Sequence, residues 1–200
     1  GVASLEPGCW ATYRAGEWRT GRYYAVDYPG ATIEPRDAVE RLDGVLRSSV
    51  SLRLRADVPV GGYLSGGLDS AITCALAAAG SPHQLRTFSV TFDDPRFDES
   101  SFQREVAQAV GSEHAVEAIG PGQIADAFPD VIGFTETPLV RTAPVPMFLL
   151  SRLTRERGIT VVLTGEGADE FFLGYDLFKE VKIRQFCRRQ PASTARPRLF

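Results

Sequence analysis

Residues 63–70 of this sequence read Tyr63-Leu64-Ser65-Gly66-Gly67-Leu68-Asp69-Ser70. An apolar run ends at Leu64, and a run of small and apolar residues with helical spacing begins at Ala71. A glycine turn between a strand and a helix leaves the backbone N–H groups of the helix N-terminus open to an anion. The segment therefore predicts a phosphate-binding loop at the carboxyl end of a strand.

The same alternation of strand and helix continues along the chain. Strands are predicted at residues 58–64, 85–92, 115–119 and 160–164, and helices at 36–54, 70–79, 101–110, 123–135 and 145–157. Gly80, Gly111 and Gly158 stand where helix C-terminal caps are expected. This pattern predicts an α/β fold, a parallel sheet with helices on both faces. Residues 1–27, rich in tryptophan and tyrosine around Ala15-Gly16-Glu17, predict a short β-hairpin that precedes it.

The amino-acid composition and net charge argue against several classes of protein. The 200 residues are 44% hydrophobic and 24% charged, as is typical of a soluble globular domain. A formal net charge of -3 disfavours nucleic acid as a partner, and no apolar run is long enough to span a membrane. Cys9, Cys74 and Cys187 lie far apart with only two histidines in the chain, which argues against a disulfide framework or a zinc site and favours the cytoplasm.

The chemistry of the first loop indicates a nucleotide. Ser65 and Ser70 can add hydroxyl donors to the backbone amides. Asp69 is unexpected beside phosphate unless it holds Mg²⁺ that bridges to pyrophosphate oxygens. The alternative is a tight turn in which Asp69 and Ser70 act only as capping groups. The patterns of the P-loop and of dinucleotide-binding folds do not occur after a strand in this sequence, so a different nucleotide site is predicted.

A second apolar strand also ends in a glycine turn. It reads Val161-Val162-Leu163-Thr164-Gly165-Glu166-Gly167-Ala168-Asp169-Glu170. Three carboxylates within five positions repel one another unless a metal, an ammonium or a basic side chain compensates. Asp169 and Glu170 also fit as ordinary acids at a helix N-terminus, whereas Glu166 lies inside the turn. Glu166 is therefore the stronger candidate for a functional carboxylate.

Residues 65–70 resemble the loop of the ATP-pyrophosphatase (PP-loop) superfamily in both motif and strand-to-helix setting. Further motifs are similar to those of the asparagine synthetase family over nearly the whole chain: the second turn, Glu136-Thr137-Pro138, Pro146-Met147-Phe148-Leu149-Leu150-Ser151-Arg152 and Gly174-Tyr175. The resemblance implies an adenine nucleotide alpha-hydrolase-like fold and the use of ATP and Mg²⁺. It also implies that aspartate is activated as a β-aspartyl adenylate, which ammonia converts to asparagine with release of AMP.

The resemblance also implies roles for individual residues. Leu64 and Val90 would contact adenine and ribose, with plain core packing as the alternative for both. Glu166 would be the catalytic acid or base, and Asp69 and Asp169 would face Mg²⁺. The remaining nucleotide contacts would come from Ser65, Gly66, Gly67, Leu68, Asp69, Ser70, Thr164 and Gly165.

For domain organisation, the resemblance implies three parts of a longer enzyme. Residues 1–30 would be the terminal hairpin of a glutaminase domain that supplies ammonia from glutamine, and residues 31–178 the synthetase domain. Residues 179–200 would be a basic helix and tail leading into a further C-terminal part, and the resemblance allows a homodimer of the full-length protein. We therefore expect this chain alone to be incomplete as an enzyme.

The substrate is left open. Arg141-Thr142 stands where the family commonly has Asp-Ser, so Arg141 either holds a carboxylate or is simply an exposed arginine. Two alternatives therefore remain at this point. One is a related amidotransferase or cyclase, similar to β-lactam synthetase or lasso-peptide cyclases, that acts on another carboxylate. The other is a nucleotide-binding fragment without catalysis.

Overall fold

The computed structural model describes residues 3–27, 30 and 32–199. The chain divides into two units, Gly1–Leu42 and Asp43–Phe200, and the division falls within helix α1 (Pro35–Arg53). The domain boundary predicted after residue 30 adjoins Tyr28, Pro29 and Ala31, which lie outside the described residues. The division into glutaminase and synthetase parts stays a prediction.

The first unit contains an antiparallel hairpin of β1 (Cys9–Arg14) and β2 (Glu17–Arg22). Ala15 and Gly16 connect the strands with φ angles of 51° and 88°. Positive φ at both central residues is required in a type I′ turn, whose twist matches the right-handed twist of the two strands. The predicted hairpin is confirmed.

The second unit contains a four-stranded parallel sheet in the order β5-β4-β3-β6. Its strands are β3 (Val60–Tyr63), β4 (Arg86–Phe92), β5 (Glu113–Ile119) and β6 (Val161–Leu163). Its helices are α2 (Leu68–Gly80), α3 (Ser100–Val110), α4 (Pro121–Thr135), α5 (Pro144–Glu156), α6 (Ala168–Phe172) and α7 (Asp176–Arg188), with a 3₁₀ turn at Arg196–Leu199. The predicted strands and helices are confirmed, with ends that differ by at most two residues.

Helices cover both faces of the sheet, as predicted. On one face, α2, α3 and the part of α1 within the second unit pack against strand residues through a core that includes Leu64, Cys74 and Ala107. On the other face, α4 and α5 pack through a core that includes Phe88, Ile119 and Leu149. No helix within the described residues is both long and apolar enough to cross a bilayer.

Two glycines in the central strand β3 permit this packing. A Cβ at Gly62 would lie 2.8 Å from Cys74 Sγ, and one at Gly61 would lie 3.0 Å from the Phe88 ring. Both contacts are closer than nonbonded carbon normally approaches. The Cys74 thiol is completely buried by this arrangement, and burial raises its pKa to about 11. Strand β3 can therefore lie close to α2 on one face and to the Phe88 ring of β4 on the other.

The predicted helix caps agree in part. Gly111 is the C-cap of α3, with a φ of 67°, and Gly158, with a φ of 77°, follows the cap residue of α5. Gly80 is instead the last residue of α2, and Ser81 takes the cap position in an extended conformation. The boundary predicted between residues 178 and 179 falls inside α7.

Candidate functional site

A cavity of about 370 Å³ opens where β3, β4 and β6 end. Ligands of open α/β folds bind outside the carboxyl ends of the strands, which is where this cavity lies. The loop after β3 and the turn after β6 form one side of it, and the end of β4 with α5 forms an apolar wall. The wall residues are Val90 and Phe92 of β4, Phe97 of the turn that follows it, and Met147 and Leu150 of α5.

The loop between β3 and α2 is organised by the hydroxyl of Ser70. Its Oγ accepts from the Ser65 backbone N–H at 3.1 Å and donates to the Gly67 carbonyl at 3.1 Å. The Ser65 hydroxyl lies 2.9 Å from the Ser70 hydroxyl and accepts from the Gly67 N–H at 3.2 Å. The loop is therefore held in shape before any ligand binds. In this conformation the Ser70 hydroxyl hydrogen is used inside the loop.

The N-terminus of α2 faces the same region without a side-chain cap. Gly67 is the N-cap residue and offers no side-chain acceptor to the first turn. The first N–H groups of an α-helix have no partner within the helix. Together with the positive end of the helix dipole, they make this loop suitable for an anion such as phosphate.

The turn after β6 packs directly against the start of α2. A Cβ at Gly165 would lie 2.7 Å from Ser70 N and 3.0 Å from the carbonyl carbon of Asp69. Only glycine allows the two chain segments to approach so closely. Thr164, Gly165 and Glu166 therefore line the same cavity as Asp69 and Ser70.

The carboxylates after β6 interact with Tyr175. The Tyr175 hydroxyl donates to Glu170 Oε1 at 3.0 Å. This hydrogen bond raises the pKa of Tyr175, and the negative charges of Glu170, Asp169 and Glu166 add to the effect. Gly174 packs so tightly on the Asp169 carboxylate that a side chain at residue 174 would overlap Oδ1. The position of Asp169 thus depends on a glycine five residues away.

The charged side chains that line the cavity are all acidic. Five carboxylates line the cavity, and no lysine, arginine or histidine does so within the described residues. The carboxylates are those of Asp69, Glu99, Glu166, Asp169 and Glu170. An anionic nucleotide could occupy such a cavity only if cations accompanied it.

The donor set fits Mg²⁺. No cluster of three or more histidine, cysteine or acidic residues is arranged for a metal within the described part of the chain. Mg²⁺ does not need such a cluster, because it is usually held by one or two carboxylates together with water and phosphate oxygens. Asp69 and Asp169, which line the same cavity, supply carboxylates of that kind.

The structure brings most of the predicted site residues to this cavity. Ten of them line it: Leu64, Ser65, Gly67, Asp69, Ser70, Val90, Thr164, Gly165, Glu166 and Asp169. Gly66 and Leu68 do not belong to the described lining. Leu68 is 74% exposed, and Gly66 turns the chain with a φ of 90°. The predicted nucleotide contacts of these two residues therefore stay predictions.

Leu64 contributes its side chain to the core and its main chain to hydrogen bonds with strand β4. Its side chain is 1% exposed and belongs to the core on the α2 face. Its N–H donates to Phe88 O at 3.0 Å, and its carbonyl accepts from the Ser89 hydroxyl. Any contact of Leu64 with a nucleotide is therefore limited to main-chain atoms. Arg141 is exposed and lies outside the described lining of the cavity.

Sequence reasoning missed several lining residues, among them the buried polar residues Ser89 and Gln103. Gln103 is 3% exposed and lines the cavity from helix α3. Its spacing from Ala107 and Val110 places it on the apolar face of that helix. A glutamine on a helix face that is otherwise apolar is the signal that could have identified it.

Comparison with known proteins places the chain among synthetases. The family model described as "Asparagine synthase" matches residues 41–199. Asparagine synthetase [glutamine-hydrolyzing] 1 of Bacillus subtilis is 33% identical over 180 residues, which cover 90% of this chain and 28% of that protein. Asparagine synthetase [glutamine-hydrolyzing] of Asparagus officinalis is 35% identical over 205 residues, covering 92% of this chain and 33% of that protein.

The chain is also similar to a protein named as an amidase and to a solved structure. Amidase chyE of Penicillium rubens is 32% identical over 198 residues, covering 90% of this chain and 31% of that protein. Among solved structures, an NH3-dependent NAD synthetase from Campylobacter jejuni matches with a TM-score of 0.48 and 15% identity, covering 68% of this chain and 60% of that one. The chain spans between 28% and 33% of the length of the curated relatives named here.

Proposed function

Because the chain belongs to the asparagine synthase family, we propose that it forms the nucleotide-binding part of an ATP-dependent carbon–nitrogen ligase. The proposed reaction converts aspartate to asparagine through a β-aspartyl adenylate, with release of pyrophosphate and AMP. The observation that carries this proposal is the meeting of two glycine turns, one after β3 and one after β6, around a single cavity.

The phosphate loop is proposed to hold the pyrophosphate part of ATP. Its uncapped helix N-terminus favours negative charge, and the Ser65–Ser70 network keeps the backbone amides in place. A carboxylate oxygen of aspartate would attack the α-phosphorus and form the acyl adenylate, while the bond to the β-phosphate breaks and pyrophosphate leaves. The loop would stabilise the charge that gathers on this leaving group.

Asp69 and Asp169 are the proposed Mg²⁺ ligands. Bound there, Mg²⁺ would neutralise charge on the pyrophosphate oxygens and lessen the repulsion between nucleotide and lining carboxylates. The contact of Gly174 with Asp169 supports this role, because a side chain at residue 174 would displace that carboxylate. Asp69 is held at the start of α2 by the contact of its backbone with Gly165.

Glu166 is the proposed acid or base. It lies in the second glycine turn, beside Thr164 and Gly165, and its carboxylate belongs to the cavity lining. When ammonia attacks the acyl carbon of the adenylate, a proton must leave the nitrogen and AMP must depart. An exposed carboxylate beside the nucleotide can accept that proton.

Ammonia is proposed to come from glutamine, because two of the relatives are named as glutamine-hydrolyzing synthetases. We propose that residues 1–30 end a glutaminase domain, that residues 31–178 form the synthetase domain and that residues 179–200 lead into a further part. A homodimer of the full-length protein belongs to the same proposal.

A second candidate is amidation of a carboxylate other than that of aspartate. One observation favours it: the similarity to Amidase chyE, a relative that is not named as an asparagine synthetase. The adenylation chemistry would be unchanged, and the identity of the acid would differ.

Carboxylate-dependent exchange of labelled pyrophosphate into ATP tests both candidates. We expect the full polypeptide that contains this chain to exchange with aspartate and not with glutamate or succinate. Exchange with a different acid alone would replace the first candidate by the second. Absence of exchange with every acid, in a protein that still binds ATP, would reject adenylation and leave a nucleotide-binding fragment.

A further inference from the structure

Gln103 connects two elements of the cavity through one nitrogen atom. Its Nε2 donates to the Val90 carbonyl of strand β4 at 3.0 Å and to the Ser65 carbonyl at 3.4 Å. Ser65 is the first residue of the phosphate loop, and β4 is the strand beside β3. The carboxamide therefore ties the loop to the neighbouring strand at the mouth of the cavity.

Helix α3 touches the loop at the next residue as well. A Cβ at Gly66 would lie 3.1 Å from Glu99 Cβ and 3.3 Å from Phe102 Cβ. The loop is therefore in contact with α3 at Gly66 and bonded to it at Ser65. These contacts place α3 where it can set the separation between the loop and β4.

Packing alone does not explain a glutamine at this position. Gln103 Oε1 is buried and has no hydrogen-bond partner within the described residues. A buried acceptor without a partner destabilises a fold, and an apolar side chain of equal length would avoid that cost. What glutamine adds over such a side chain is the pair of donated hydrogen bonds.

We propose that Gln103 is a positioning residue that fixes the phosphate loop relative to β4 and so keeps the cavity in its nucleotide-binding shape. The proposal rests on the proposed function of the cavity. Gln103 acts through the main chain of Ser65 and Val90, and its role does not require contact with the nucleotide.

The first test is Gln103→Met in the full polypeptide. Methionine has a similar length but neither donates nor presents a strong acceptor. We expect the Kd for Mg-ATP to rise about tenfold, as the loss of such hydrogen bonds implies. We expect Tm to stay close to that of the wild type, because the substitution removes one unpaired acceptor, Oε1, and withdraws a donor from two main-chain acceptors, so the two effects oppose each other.

Gln108→Met is the matched control. Gln108 is exposed on the same helix and lies outside the described lining of the cavity. This variant carries the same change of side chain in the same element. We expect its Kd for Mg-ATP to equal that of the wild type.

The pH dependence of ATP affinity in Gln103→Glu distinguishes a positioning role from a purely structural one. An ionised carboxylate cannot donate to the two carbonyls, whereas a protonated one can donate to one of them. We expect ATP affinity, expressed relative to the wild type at each pH, to recover in this variant as pH falls from about 8 to about 5. The Met variant should show no such recovery.

Hydrogen exchange of the loop amides completes the test, because it needs no nucleotide. In the Met variant we expect the amides of Gly66 and Gly67 to exchange faster than in the wild type, because the loop has lost its hydrogen bond to residue 103. Wild-type ATP affinity and wild-type exchange in this variant would overturn the proposal. A parallel loss of Tm and affinity, without pH recovery in Gln103→Glu, would also overturn it. If the wild type bound no ATP, the proposed function would fail, and the exchange rates would still decide whether Gln103 braces the loop.

Discussion

Replacing Gly165 with alanine tests the contact between the two glycine turns. The added Cβ would lie 2.7 Å from Ser70 N and 3.0 Å from the carbonyl carbon of Asp69. Favourable nonbonded separations begin at about 3.5 Å, so the segments must part by about 0.8 Å. Both partner atoms belong to the backbone at the start of α2, which cannot rotate away as a side chain could. The substitution should therefore displace Asp69 and the phosphate loop together.

The expected magnitudes follow from overpacking and misplacement. We expect the free energy of unfolding to fall by about 1–3 kcal/mol, the usual cost of forcing an extra methyl group into a packed site. A misplacement of nearly 1 Å at a reacting group should reduce ATP-dependent turnover by about 10- to 100-fold. Urea unfolding and release of pyrophosphate, both measured on the full polypeptide, give the two values.

Gly133→Ala provides the control for this experiment. Gly133 lies in the last turn of α4, and a Cβ there would meet nothing within 4 Å. Alanine should raise stability by about 0.5–1 kcal/mol at such a helix position and leave turnover unchanged. If Gly165→Ala behaved like Gly133→Ala in both assays, the two turns would not press on each other and the account of the site would be wrong.

Three further substitutions address individual side chains. Asp69→Asn should lower ATP-dependent turnover by more than about tenfold, or ~1.4 kcal/mol of barrier, with an unchanged Tm; retention of wild-type turnover would remove Asp69 from the metal site. Glu166→Gln should reduce the single-turnover rate more than the affinity for ATP, and equal losses would make Glu166 a nucleotide ligand instead. His114 is expected to make stability pH-dependent. Its Nδ1 lies 2.9 Å from Thr87 Oγ1, its Nε2 is buried without a partner among the described residues, and burial lowers its pKa from 6.5. The unfolded chain then binds the proton more readily, so the contribution of His114 to the free energy of unfolding should be nearly constant well above pH 6.5 and become less favourable as pH falls below it. A His114→Gln variant should lose this part of the pH dependence in urea unfolding, and an unchanged profile would contradict the assignment.

The elements of the second unit could be predicted because their signals are local. The strand at Arg86–Phe92 and the helix at Ser100–Val110 follow from runs of apolar residues and from turn glycines. The order of the strands has no such signal. Nothing within Val161–Leu163 indicates that this strand pairs with β3 rather than with β5, because the choice depends on how the intervening helices pack.

The candidate site could likewise be predicted only in part. Both glycine turns were recognisable, because phosphate and backbone contacts require glycine and small polar residues at short spacing. Gln103 was missed, because its two acceptors belong to residues 38 and 13 positions away in the sequence. The burial of the Leu64 side chain was likewise undecided before the structure, since a residue at the end of a strand can face either the core or a ligand.

The pairing of β3 with β6 has a consequence for folding. Val60 lies opposite Val161, so this pairing joins residues roughly 100 positions apart, and closing so long a loop is slow compared with forming helices or hairpins. The phosphate loop and the second glycine turn come together only when β3 and β6 have paired. We therefore expect competence for ATP to arise late in folding, and on the ribosome only after β6 has emerged. In pulse-labelling experiments, a bound nucleotide should then protect the chain from exchange at the last folding step and not before it.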